Sequence, residues 1–138
     1  MKHYIPLLLS FFLLMGCSKN SDTDPITDQS SFLVNNSSTQ GKWKLSSLKV
    51  GSVVQSLTPS QKAYVKHYTA DLKFSDTDGL LGTWSMPSVD SLVEVITNFS
   101  SGVSVTQAYK IISITTSQLN LTYTVNGTEI NAIYTATY

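Results

Sequence analysis

The chain has 138 residues, a formal net charge of zero and few charged side chains, 13 % of the total. Its cations are all lysines, because arginine is absent; with no basic stripe to follow a phosphate backbone, nucleic acid is excluded as a partner. The single cysteine, at position 17, excludes an internal disulfide.

At the N-terminus, Lys2 is followed by an apolar run from Ile5 to Leu14 and then by small Gly16 before Cys17, the three parts of an export signal. The run is short for a bilayer span, which needs about 20 residues. Leu14-Met15-Gly16-Cys17 resembles the bacterial lipobox. The resemblance implies that residues 1–16 are removed as a signal peptide, and that the Cys17 thiol receives a diacylglyceryl group while its freed amine is acylated. Two or more acyl chains, at about 0.8 kcal/mol per buried CH₂, anchor a protein stably where one does not. Ser18 stands where the inner-membrane retention signal of enteric bacteria has aspartate, so the outer membrane is the expected location. The lysine and acids after Cys17 partly resemble the surface-export signal of Bacteroidetes lipoproteins, which leaves periplasmic and surface-facing orientations open.

Residues 17–40 read as the lipidated cysteine and a flexible tether. Ser, Asn, Asp, Thr and Gln dominate, and such a stretch cannot bury enough surface to offset its ordering entropy. Phe32-Leu33-Val34 either docks on the domain as a short edge segment or belongs to the linker.

Residues 41–138 make one small domain, large enough to fold without staples. Thr58-Pro59-Ser60-Gln61 carries a cap, an N1 proline and a capping-box glutamine, and predicts a helix from Pro59 to about His67 with Tyr64, Val65 and Tyr68 on one face. A helix there can lie across the mouth of a barrel. Tyr68, Ala70, Leu72 and Phe74 alternate as a strand. Ser75-Asp76-Thr77-Asp78-Gly79 turns into a strand at Leu80–Met86, Pro87-Ser88 breaks it, and Ser91–Phe99 forms the next. Val103, Val105, Tyr109 and Ile111 share a face, and the phase slips near Ile112 and Ile114, as at a bulge or bend. Leu119, Leu121, Tyr123 and Val125 share a face, Asn126-Gly127 marks a two-residue hairpin, and Ile130, Ala132, Tyr134, Ala136 and Tyr138 return on the same side.

This many meandering strands suggests a sheet closed on itself or a sandwich, and closure removes exposed edges. Gly41-Lys42-Trp43-Lys44-Leu45 resembles the Gly-x-Trp start of the first strand in lipocalins and related calycin barrels. Leu72-Lys73-Phe74 with its Asp-Gly turn, and the Ile-Ile-Ser-Ile and Leu-Asn-Leu runs near the end, resemble small lipocalin-like lipoproteins of Bacteroidetes. The resemblance implies an all-β fold: a small antiparallel up-and-down barrel of about eight strands, with one short helix between the first two main strands.

Trp43 is expected to plug the closed end of such a barrel, a structural role. Tyr64, Tyr68, Trp84, Tyr109, Tyr123 and Tyr134 are the candidate ligand-binding residues, either as an aromatic wall for a lipid or, around Trp84, as a stacking surface for a sugar. Ordinary core packing competes with both roles. The inward tyrosines need hydroxyl partners or water, which predicts a partly wet interior.

Asp76-Thr77-Asp78-Gly79 lacks the further ligands of a calcium loop and reads as a hairpin turn. His67 alone supports neither a metal centre nor a catalytic triad, and Asp71, Asp90, Glu94 and Glu129 offer no recognisable acid–base pair. The chain therefore reads as a non-enzyme without metal or cofactor. Asp90-Ser91-Leu92 matches a short Bacteroidetes O-glycosylation motif. Two functions stay open: a lipid-anchored barrel holding a small hydrophobic or amphipathic ligand, and an accessory module that docks an envelope protein and has a solid core. A cavity of roughly 300 Å³ or more distinguishes the first.

Overall fold

The structure is a computed structural model, and it describes residues 25–34, 40–98 and 102–138. Cys17 and the export signal lie outside the described residues. A helix α1 (Pro25–Val34) is followed by strand β1 (Lys42–Val50), a short strand β2 (Val53–Gln55) and helix α2 (Pro59–Ala63). Then come β3 (Val65–Tyr68), β4 (Lys73–Asp76), β5 (Leu81–Ser88), β6 (Ser91–Ile96), β7 (Val105–Ile114), β8 (Gln118–Val125) and β9 (Thr128–Ala136).

From β3 to β9 every strand pairs antiparallel with the next, and β1 pairs with both β3 and β9. The β1–β9 ladder runs from Trp43 opposite Ala136 to Val50 opposite Ile130, so an eight-stranded sheet closes on itself. β2 stands outside the closed ring as a short flap paired only to the end of β1. The helix expected between the first main strands is present, with Thr58 capping the Gln61 N–H and the Gln61 side chain capping the Thr58 N–H.

Period-two alternation explains the core. Trp43 and Leu45, Leu92 and Ile96, Tyr109 and Ile111, Leu119 and Leu121, and Ala132 and Tyr134 turn inward and are buried. The expected hairpin forms at Asn126-Gly127, both with positive φ (49° and 78°) as a tight primed turn requires. The expected irregularity near Ile112 is a register shift between β7 and β8.

Four expectations need correction. Helix α2 ends at Ala63, and Val65–Tyr68 is strand rather than helix; Val65 and Tyr68 pair in the sheet, which satisfies their backbone more completely than another helical turn. The strand expected through Tyr68–Phe74 is two strands joined by a turn, in which Leu72 takes φ 63°. Pro87-Ser88 does not end β5 but sits in a bulge of the β5–β6 ladder, where a missing proline N–H is tolerated. Val105, Val125 and Tyr138 keep the inward phase only on paper, since they lie at strand ends beyond the core and are exposed.

The segment read as a tether also carries more structure than expected. Pro25–Val34 is helical, packs against β5 and β7, and buries Leu33 completely. It closes the end of the barrel at which β1 begins. Trp43 is fully buried, and its indole N–H donates to the Leu33 carbonyl at 2.8 Å. Gly41 lets the chain enter: a Cβ there would stand 1.9 Å from the Tyr68 carbonyl oxygen, and its φ is 79°.

Candidate functional site

Inside the barrel, Lys66 on β3 and Glu94 on β6 meet across the lumen. Both are almost fully buried, at 3 % and 1 % exposure. The Lys66 ammonium donates to Glu94 Oε1 at 2.7 Å, to Oε2 at 2.9 Å and to the Tyr109 hydroxyl at 3.0 Å. Glu94 also accepts from the Tyr68 hydroxyl at 2.5 Å and from the Tyr109 hydroxyl at 2.9 Å. The Phe74 and Tyr109 rings flank the ammonium, 4.8 and 4.9 Å from their centroids. The strands explain this placement: Lys66 shares its face with Tyr68, and Glu94 shares its face with Leu92 and Ile96.

Five tyrosines surround this carboxylate. Burial pushes the phenols of Tyr64, Tyr68, Tyr109, Tyr123 and Tyr134 above their ordinary pKa, and the negative charge of Glu94 adds to the rise in each. For Tyr134 the neighbouring Tyr123 adds as well, and for Tyr64 the neighbouring Tyr134 and the bonded Asp76 do. Burial lowers the Lys66 pKa, while Glu94 pulls it back upward. Tyr64, just after α2, donates to Asp76 Oδ2 at 2.8 Å. The hydroxyls of Tyr123 and Tyr134 make no hydrogen bond to the protein among the described residues.

The wall is not sealed at this level. β7 pairs with β8 only from Lys110 opposite Thr122 downward, although β7 begins at Val105 and β8 continues to Val125. The two strands therefore part toward the mouth. The cleft has a volume of about 600 Å³ and is lined by Thr106, Gln107, Tyr109, Lys110, Tyr123 and Glu129, among others. Tyr109 and Tyr123 meet edge to face, with centroids 5.3 Å apart. Tyr109 thus belongs both to the cleft and to the buried cluster. A smaller pocket of about 80 Å³ lies beside α2, lined by Ser60, Gln61, Tyr64 and Asp78.

The comparisons add the fold family. No family model and no curated protein matches the sequence. The structure superposes on the crystal structure of a lipocalin-like protein from Bacteroides uniformis with a TM-score of 0.51, at 14 % identity, covering 70 % of this chain and 96 % of that one. The fold is lipocalin-like.

Within the lipocalin-like barrel, the residues expected to bind ligand fall into two groups. Tyr64, Tyr109, Tyr123 and Tyr134 gather around the polar cluster. Trp84 packs in the core, edge-on to Tyr68 at 6.1 Å, with its indole N–H on the Thr69 carbonyl at 3.0 Å. It is no exposed stacking surface for a sugar, because its ring is needed to fill the barrel. Tyr68 is likewise fully buried and serves Glu94 rather than the mouth.

Lys66 and Glu94 were not legible as a pair. A helix continued to about His67 hides the inward phase of Lys66, and nothing in the spacing of Asp71, Asp90, Glu94 and Glu129 marks Glu94 as its partner. The available signal was its place between Leu92 and Ile96, on an apolar strand face. Asp76–Gly79 is the hairpin turn expected, with Asp76 Oδ1 accepting from the Asp78 and Leu80 N–H groups. His67 meets the Gln40 carbonyl at 3.0 Å, and no group of three metal-ligating side chains forms among the described residues.

Proposed function

We propose that this protein is a lipid-anchored binding protein of the outer membrane, which holds a small amphipathic ligand in the mouth half of its barrel. The observation that carries the proposal is the cleft between β7 and β8, walled by Tyr109 and Tyr123, of which Tyr109 also bonds the buried Lys66–Glu94 pair. Its volume of about 600 Å³ falls within the range of small-molecule sites, roughly 300–1,000 Å³. The Tyr123 hydroxyl, which has no protein partner among the described residues, and the Gln107 amide supply the few polar groups that such a site uses for orientation.

Anchoring is proposed at Cys17, with α1 closing the barrel end nearest the tether in the chain. The Cys17→Ser chain is expected to move from the membrane pellet to the soluble fraction, because the acyl chains are the only stable anchor proposed. An equal membrane fraction for both chains would refute the anchor.

A second reading is a docking module for an envelope protein. It is favoured by the exposed Val53, Val54, Leu81, Val105 and Val125 at the mouth end of their strands, with exposed Val103 just before β7. Native mass spectrometry of protein purified from its envelope separates the two readings. A retained molecule of a few hundred daltons, lost on Tyr123→Ala substitution, supports the carrier. A bare chain together with a co-purifying protein supports the docking module.

A further inference from the structure

We propose that the closed end of the barrel is a membrane-docking surface, where the exposed side chains of Phe32, Leu72, Val89 and Ile112 enter the headgroup region of the bilayer that holds the anchor. The proposal rests on the Cys17 anchor proposed above and adds what the folded domain does once tethered.

Antiparallel connectivity gathers these four residues at one end. Leu72 lies in the turn from β3 to β4 and Val89 in the turn from β5 to β6, both at the end where β1 begins. Ile112 stands near the same end of β7, at the residue skipped in the β7–β8 register. Phe32 is on α1, which packs against β5 and β7. The four therefore follow the arc of rim from β3 to β7, with α1 across it.

All four are exposed, Leu72 and Ile112 at 51 % each. Leu72 is the most telling. Its φ of 63° is a conformation that suits Gly or Asn and is unfavourable for leucine, and its side chain gains no burial in return. The turn needs that conformation: the Leu72 N–H donates to the Thr69 carbonyl, and the Leu72 carbonyl accepts from the Trp84 N–H, each at 3.0 Å. It does not need leucine. Against water the side chain is misplaced, whereas against lipid it is favourably placed.

The anchor identifies the occupant. The eight peptide units from Cys17 to Pro25 reach at most about 30 Å. Pro25 opens α1, and α1 covers the closed end, so this is the end that an anchored bilayer meets. Bringing the mouth to the bilayer would take nearly the whole reach, since β8 alone rises up to about 26 Å. The charges of this arc point to apolar insertion rather than attraction to anionic lipid. Lys73 is paired with Asp71, and the next turn carries Asp90, so the arc has no net positive charge.

The test uses the mature lipidated chain in phosphatidylcholine vesicles that contain lipids spin-labelled just below the headgroup. With Cys17 acylated, one cysteine placed elsewhere takes a fluorophore specifically. Thr116→Cys marks the β7–β8 turn at the closed end, and Ser52→Cys the β1–β2 turn at the mouth; both positions are exposed. Quenching at position 116 is expected to be several-fold stronger than at position 52, in low and high salt alike, because the apolar face of such a surface settles about 5–10 Å into the interface. Combining Leu72→Ser with Ile112→Ser is expected to lower quenching at position 116 to the level at position 52. The anchor should still hold that variant on the vesicles, and its melting temperature should be close to native because both side chains are exposed. Equal quenching at the two positions, or strong quenching at position 116 that survives the double substitution, would overturn the docking surface and leave the anchor intact. A chain that leaves the vesicles, with Cys17 open to the fluorophore, would overturn the anchor and the docking surface together.

Discussion

Lys66 and Glu94 place an ion pair where solvent does not reach, and Tyr68 and Tyr109 complete its hydrogen bonds. Desolvating two charges costs several kcal/mol each, and a well-packed apolar pair often does the structural work as well or better. Removing one partner is a different matter, because the other is left charged and alone. Lys66→Met and Glu94→Gln are each expected to destabilise the barrel by about 3–5 kcal/mol, and the double variant by clearly less than their sum. Urea unfolding of the three variants measures this coupling. Additive losses would mean that the two groups do not act as a pair. The exposed Lys73–Asp71 contact at 2.6 Å is a poor comparison, since solvent screens it and contacts of that kind contribute little.

At the scale of elements, closure depends on two close approaches and one helix. Gly82 on β5 lies so near β6 that a Cβ would stand 2.0 Å from the Val95 carbonyl oxygen, a backbone atom that cannot swing aside. Gly82→Ala is therefore expected to lower the melting temperature although it adds a single methyl group. α1 seals the other end of the barrel through Leu33. Leu33→Ala removes a fully buried side chain and is expected to cost about 2–5 kcal/mol, read by thermal or urea unfolding. A loss under about 0.5 kcal/mol would show that the helix is not part of the cooperative unit, as a tether would not be. The β7–β8 separation belongs to this scale too. The bulge near Ile112 shifts the ladder between Ile111 and Ser113, and pairing is not resumed above Lys110.

For the whole molecule, the concentration of buried phenols sets the response to alkali. Tyr64, Tyr68, Tyr109, Tyr123 and Tyr134 hold their protons above the ordinary tyrosine range when folded. Unfolded, each loses its proton near pH 10, at about the model-peptide value. Above that pH the native state binds more protons than the unfolded state, so stability falls as pH rises, by about 1.4 kcal/mol per pH unit for each such tyrosine. Lys66 works in the opposite direction. Its pKa is lowered by folding, so stability rises with pH between its native and unfolded values. One such group is outnumbered by five. Alkaline titration is expected to unfold the barrel in a narrow step, with tyrosinate absorption from the buried phenols appearing together with loss of the near-ultraviolet circular dichroism. Gradual ionisation of all the tyrosines in a still-folded chain would contradict this account.

Much of the architecture was already contained in local pattern. Strand alternation, the Thr58–Gln61 capping box and the Asn126-Gly127 turn are short-range signals, and each depends on residues close together in the chain. Together they determined an all-β meander with one short helix, and the Gly41–Leu45 resemblance pointed to its closure. The lipobox resemblance at Cys17 is equally local and lies outside the described residues. What only the tertiary structure decided rests on contacts between distant segments. Val65–Tyr68 became strand because a sheet was there to pair with, and that pairing turned Lys66 inward. Glu94, 28 residues away, met it because closing the barrel brings β3 and β6 face to face across the lumen. Leu33 found its place under Trp43 for the same reason. A short polar helix has little stability alone, and the open end of a closed sheet supplied the apolar surface that made it worth ordering.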